Sequence, residues 1–150
     1  MKAAINSRTK GASSERELAG LIHDHLGVRL VRILTQSRDG GYDLEPAPNQ
    51  TGPVVDCLRG VALEVKRYQA VTPSLLARFW SQAVRQAEAA GLVPALAWRA
   101  DRQPWRVTVP LAWLAGMGNG HDLEHTADLS IPAFCLAVRE RTLGGGSEEG

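Results

Sequence analysis

The sequence has two cysteines, no long apolar run and no phosphate-binding glycine signature, and each shortage closes a class of explanation. Cys57 and Cys135 are the only cysteines in 150 residues. Two are too few for a disulfide framework, and no CxxC or Cys/His cluster marks a zinc site. The opening stretch MKAAINSRTKGASSERE lacks the apolar segment of a secretory signal. No run approaches the roughly 20 apolar residues needed to span a bilayer. Neither GxGxxG nor a Walker A motif is present. The expectation is a soluble protein of a reducing, cytoplasmic environment, with no membrane partner.

What is present is an ordinary globular composition, 44% hydrophobic and 22% charged, enough to bury a core in a single domain of this length. The net charge of +1 hides an asymmetry: residues 1–110 carry 15 basic and 10 acidic side chains, residues 111–150 carry 2 and 6. Of the 17 basic residues, 14 are Arg, the side chain suited to bidentate phosphate contact. A basic body with an acidic tail is compatible with nucleic-acid binding.

Along the chain, residues 1–12 read as a polar, basic arm. Residues 13–26 read as a helix capped by Ser13 or Ser14 and stopped by Gly27. VRLVRILTQ (28–36) reads as a strand. SRDGGYDLE (37–45) is a glycine-rich turn running into a short strand, and 46–60 is a loop or hairpin connection. VALEVKRY (61–68) is a strand. Thr72 caps a helix with Pro73 at its first position and Gly91 past its end. LVPALAWRA and PWRVTVPL are strands joined by DRQ. Residues 111–116 form a short helix, IPAFCLAVRE a last strand, and GGGSEEG a disordered tail. The expected fold class is α/β, a mixed sheet flanked by helices, with the body at 13–111 and an extension at 112–150.

The strand LEVKR holds the chemical question. Val61, Leu63 and Val65 alternate with Ala62, Glu64 and Lys66, the period of a half-buried strand. A Glu and a Lys on one strand face are ordinarily a surface ion pair of little energetic weight. Three other features shift that reading. Asp43 follows Gly40, Gly41 and Tyr42 and lies past the turn, where a carboxylate has no local task; Asp39 is the better turn residue. Glu15 continues the apolar stripe of the first helix: at 100° per residue, Leu18, Ile22 and Leu26 fall within about 60° of it, whereas Glu17 lies about 200° away on the solvated side. Arg78, Gln82 and Gln86 form an i, i+4, i+8 row beside the stripe of the second helix, and Arg78 and Gln82 are placed to line a cleft. Asp43 and Glu64 are suited to hold a hard divalent cation such as Mg²⁺. Glu15 takes a metal-bound water or a second ion. Lys66 orients or deprotonates the attacking water, or stabilises charge on phosphate. Metal-assisted phosphodiester hydrolysis is the one chemistry that uses all four.

These residues resemble the PD-(D/E)xK nuclease superfamily, and within it the archaeal-type Holliday-junction resolvases and their phage relatives. The resemblance rests on KGASSERELAGLI (10–22), SRDGGYDL (37–44) and ALEVKR (62–67), and more loosely on FWSQAVRQAEAAG, PALAWR and PWRV. It implies a restriction-endonuclease-like fold with a mixed central sheet. Glu15 matches the helix acid, Asp43 the motif Asp, Glu64 the motif acid and Lys66 the motif lysine. It further implies Mg²⁺ dependence with Mn²⁺ as substitute, a homodimer, and a four-way DNA junction as substrate in a bacterial or phage-infected cell. Arg8, Lys10 and Arg16 match the DNA-contacting arm. Arg38, Arg67, Gln82 and Arg99 complete the expected DNA contacts. Tyr42 stands where Pro is common, 46–60 exceeds a tight turn, and 111–150 falls outside the match. Two other readings share the residues: a nuclease on other branched or duplex DNA, and a non-cutting DNA-binding or assembly module.

The remaining chemistry-bearing residues read as structural. His23 and His25 have the wrong helical spacing for a shared metal. His121 and His125 lack a third ligand. Trp80, Trp98 and Trp113 read as core or interface, with Trp105, beside Arg102 and Arg106, the one candidate for stacking on a base.

Overall fold

The computed structural model describes residues 2–33, 42–116 and 121–144. A six-stranded sheet in the order β1-β2-β3-β4-β5-β6 forms the centre. Its strands are β1 (Leu30–Arg32), β2 (Leu44–Pro46), β3 (Val61–Tyr68), β4 (Val93–Ala100), β5 (Arg106–Pro110) and β6 (Thr126–Leu129). Among the described residues only β3 and β4 run parallel; every other neighbouring pair is antiparallel. The sheet is mixed and flanked by helices, as expected.

The parallel pair requires a crossover, supplied by α3 (Pro73–Ala90). Its ends follow local chemistry. The Thr72 hydroxyl accepts from the Leu75 amide at 3.2 Å. Pro73 opens the first turn, and Gly91 takes the left-handed conformation (φ 70°) that a side chain disfavours. Phe79, Trp80 and Ala83 of α3 bury against Leu96 of β4. The opposite sheet face is covered by α1 (Lys2–Leu26), α2 (Pro53–Arg59) and α5 (Ile131–Gly144). There Leu18, Ile22, Leu58, Phe134 and Val138 meet Val61, Leu63 and Val65 in the larger core. The β3 alternation therefore serves two cores: odd residues face α1, and Glu64, Lys66 and Tyr68 face α3. The short α4 (Leu111–Ala115) adds Trp113, which stacks on Phe134 with ring centroids 5.9 Å apart.

Four expectations are corrected. Residues 2–12 are not an arm apart from the fold; they begin α1, so Ser13 and Ser14 lie inside the helix and cap nothing. The 46–60 connection contains a helix, seeded by Pro53 at its first turn. IPAFCLAVRE is helix, not strand. Ile131, Phe134, Cys135 and Val138 are all buried, an i, i+3, i+4, i+7 stripe, and the Ser130 hydroxyl accepts from the Ala133 amide. The boundary at 112 also dissolves: β6 pairs with β5 and α5 fills the main core, so residues 126–142 are integral to the fold. Of the expected tail GGGSEEG, Gly144 ends α5, and 145–150 lie outside the described residues. Among the described residues no helix is long and apolar enough to cross a membrane.

Candidate active site

The site forms where β2 leaves β3. Their Cα register is limited to Leu44 opposite Leu63. Just before it, the Asp43 amide donates to the Leu63 carbonyl at 3.0 Å. The strands then part, and the Asp43 carboxylate takes the place of a strand: its Oδ2 accepts from the Val65 amide at 2.8 Å. This ties Asp43 to the backbone between Glu64 and Lys66.

Glu64 is 3% exposed. Its Oε1 lies 3.4 Å from Lys66 Nζ, and its Oε2 is buried with no hydrogen-bond partner among the described residues. Burial, and then the Asp43 charge, push the Glu64 carboxyl up to about 8. Burial also raises Asp43, opposed chiefly by its bond from the Val65 amide and by the Lys66 charge. Lys66 is half-buried, with Nζ 5.5 Å above the Phe79 ring. Phe79 thus floors the lysine, while β3 holds Glu64 and Lys66 on one face.

Glu15 approaches from the other sheet face. It is buried on α1, in line with Leu18 and Ile22, and its Oε2 pairs with Arg32 Nε of β1. Burial and then the Asp43 charge raise its carboxyl, while Arg32 lowers it. Glu15 and Glu64 therefore both feel Asp43, from opposite sides of the seam. Among the described residues no three acidic, His or Cys side chains stand close enough to form a ready metal cage. The structure gathers Asp43, Glu64 and Lys66 tightly and keeps Glu15 at the back of the seam.

The donor set nevertheless fits a divalent cation. A buried carboxylate oxygen lacks a partner, and two neighbouring carboxyls are both raised by burial. A cation between Asp43 and Glu64 would satisfy the first and relieve the second.

The expected DNA contacts divide. Arg8, Lys10 and Arg16 lie on α1, with Arg16 exposed. Arg38 lies outside the described residues. Gln82 lines a groove beside Lys66. Arg67 and Arg99 are engaged within the protein: Glu17 Oε1 accepts from Arg99 Nη1, and Glu17 Oε2 lies 3.8 Å from Arg67 Nη1. Asp101 lies 3.6 Å from Arg67 Nε. Trp105 Nε1 donates to the same Glu17 carboxylate at 2.9 Å. Glu17 is accordingly only partly exposed and pins α1 to β3, β4 and the start of β5. Trp105 is 5% exposed and is a structural anchor, not a base-stacking surface. Trp80 and Trp98 likewise spend their indole N–H groups on the His121 carbonyl and the Thr108 hydroxyl.

Sequence reasoning missed Glu17, Arg32 and Phe79, whose partners are distant in sequence. It also missed Tyr68, although Glu64, Lys66 and Tyr68 share one alternation.

The seam thus joins an acid on the first helix, an Asp at the strand end and Glu-x-Lys on the next strand of a mixed sheet. Residues 6–125 match the family described as "Phage putative PDDEXK endonuclease", and the chain belongs to that family. Among solved structures it is similar to Hjc, a Holliday junction resolvase of Archaeoglobus fulgidus. That likeness has 18% identity and a TM-score of 0.42, and covers 85% of this chain and 88% of that one. No curated protein matches the sequence.

Proposed function

We propose that this protein is a Mg²⁺-dependent DNA endonuclease that acts as a homodimer on four-way junctions, with Mn²⁺ able to replace Mg²⁺. The observation that carries the nuclease reading is the seam itself, where the Asp43 and Glu64 carboxylates converge beside Lys66. Family membership supports the chemistry. The junction substrate and the dimer rest on the resemblance of KGASSERE and its companion motifs to resolvases.

Asp43 and Glu64 would hold the ion, with Glu15 behind Asp43 available to a water in its shell or to a second ion. Bound there, the ion supplies Lewis-acid polarisation of the scissile phosphate. Glu64 fixes the position of the Lys66 ammonium through their ion pair, and Phe79 fixes it from below. Lys66 then faces the phosphate oxygens, where a fixed positive charge stabilises the pentacovalent transition state, and it orients the attacking water. Asp43 keeps its orientation through the Val65 amide, so the acid does not reorganise during the reaction.

The test is cleavage of a labelled four-way junction with Mg²⁺, beside linear duplex of the same sequence, with Glu64→Ala as control. Paired symmetric nicks in the junction alone, lost in the variant, are expected. Cutting of both substrates removes junction selectivity and leaves the nuclease. Binding without cutting in Mg²⁺ or Mn²⁺ overturns the catalytic assignment.

A further inference from the structure

Two grooves meet at the α3-side end of β3. One, of about 550 Å³, lies along α3 and is lined by Lys66, Tyr68, Arg78, Gln82 and Arg85. The other, of about 300 Å³, lies between α1 and β3 and is lined by Gly11, Ser14 and again Lys66 and Tyr68. Lys66 and Tyr68 are thus the shared rim of a path that crosses the site.

The chemistry of this path is that of a nucleic-acid track. Arg78 and Arg85 are exposed, and neither forms an ion pair among the described residues, in contrast to Arg67 and Arg99. They stand seven residues apart on one helix, about 10 Å along its axis, which spans about three base steps of duplex rise. Tyr68 is 45% exposed, yet its ring is backed by Phe79 at 4.9 Å between centroids. A polar-tipped aromatic face held open to solvent by a buried second ring has no packing task of its own. On the other side, Ser14 is 1% exposed and its hydroxyl has no partner among the described residues. At Gly11 an added Cβ would meet nothing within 4 Å, so the helix surface there leaves room for a backbone to approach.

We propose that a DNA strand runs through both grooves, with Arg78 and Arg85 gripping its phosphates and Tyr68 stacking on an unpaired base beside the scissile phosphate. The inference rests on the nuclease reading and adds to it a feature of the branched substrate: a base free of its stack beside the cut, as at the branch point of a junction or a fork, makes that DNA bind better than blunt duplex.

The experiment is fluorescence anisotropy in EDTA, with fluorescein-labelled forked DNA and blunt duplex titrated over a salt series. The proteins are wild type, Arg78→Gln/Arg85→Gln, Tyr68→Ala and Tyr68→Phe, each checked for native circular dichroism. The double arginine variant loses affinity for both DNAs, and its log–log salt slope falls by about 1.4–1.8, the value of two lost phosphate contacts. Tyr68→Ala binds the fork about tenfold more weakly, one stacked base, with duplex affinity unchanged; Tyr68→Phe binds both as wild type does. A double variant with wild-type affinity and slope overturns the track and leaves the nuclease reading intact. A Tyr68→Ala that weakens fork and duplex equally overturns the stacking role. A wild-type protein that binds neither DNA, in EDTA or with Ca²⁺ in its place, overturns track and nuclease reading together, whereas a wild type that binds as described but does not cut the same DNA in Mg²⁺ or Mn²⁺ overturns only the latter.

Discussion

Glu64 allows the site to be tested without any substrate. In the metal-free protein its carboxyl is pushed up to about 8, by burial first and by Asp43 second, from an unfolded value of about 4.3. Between those pH values the folded state binds a proton that the unfolded state has released. Stability therefore falls as pH rises, with a slope of at most about 1.4 kcal/mol per pH unit for one proton. It is full below the unfolded value and has been lost once pH passes 8. Glu64→Gln removes the titration and gives Asp43 an amide donor. In EDTA at pH 8.5 the variant should exceed wild type by about 2–4 kcal/mol, or roughly 5–12 °C in melting temperature for a domain of this size. At pH 5 the two should nearly coincide. Added Mg²⁺ should close the gap at pH 8.5 by stabilising wild type alone, because only the ionised pair holds the ion. Thermal melts across pH 5–9, with EDTA or Mg²⁺, give every quantity needed. If Glu64→Gln is the less stable protein at pH 8.5 in EDTA, the buried, repelled carboxylate pair is wrong and the metal site with it.

Other perturbations test the remaining contacts. Lys66→Met should cut the cleavage rate by about 10²–10⁴-fold while leaving the melting temperature within a few degrees; unchanged single-turnover cleavage would remove Lys66 from the chemistry. Glu17→Ala leaves Arg99 without its carboxylate and the Trp105 indole without its acceptor, while Arg67 keeps Asp101, and should cost about 1–2 kcal/mol in urea unfolding. Phe134→Ala should cost about 3–5 kcal/mol, and truncation after residue 125 should abolish cooperative unfolding, because α5 fills the main core. Cys135, whose thiol burial pushes up to about 11, should react with a thiol reagent at pH 8 only after denaturation, and an immediate two-thiol titre would contradict its buried position.

How much of this was legible depends on where each residue's partners lie. The second helix carried its own punctuation in Thr72, Pro73 and Gly91, and the strand at 61–68 its own period. Both could be read locally. Glu15 was legible because a helical wheel places it among Leu18 and Ile22. Glu17 was misread by the same wheel, since Arg67, Arg99 and Trp105 lie at least 50 residues away and convert a solvated position into an anchor. Residues 131–140 were misread as a strand because IPAFCLAV is an unbroken apolar run, which a buried strand and a buried helix segment share; the spacing of Ile131, Phe134, Cys135 and Val138 and the Ser130-Ile131-Pro132 opening carried the helical answer. The chemistry of Asp43, Glu64 and Lys66 was legible as a set. That Glu15 approaches from the opposite sheet face was not, because strand separation at the seam is a tertiary property.

Asp43 carries two obligations at once. Its side chain fills a place in the β2–β3 ladder that a neighbouring backbone carbonyl would otherwise occupy, so the acid is also a piece of pairing. Substitution by Ala should loosen the seam as well as silence the site, whereas Asn keeps an oxygen for the Val65 amide and removes only the charge. An inactive protein for capturing bound DNA is therefore better made with Asp43→Asn than with Ala. For a lineage that abandoned cutting, this position would be slow to drift, still held by the architecture after its chemistry had gone.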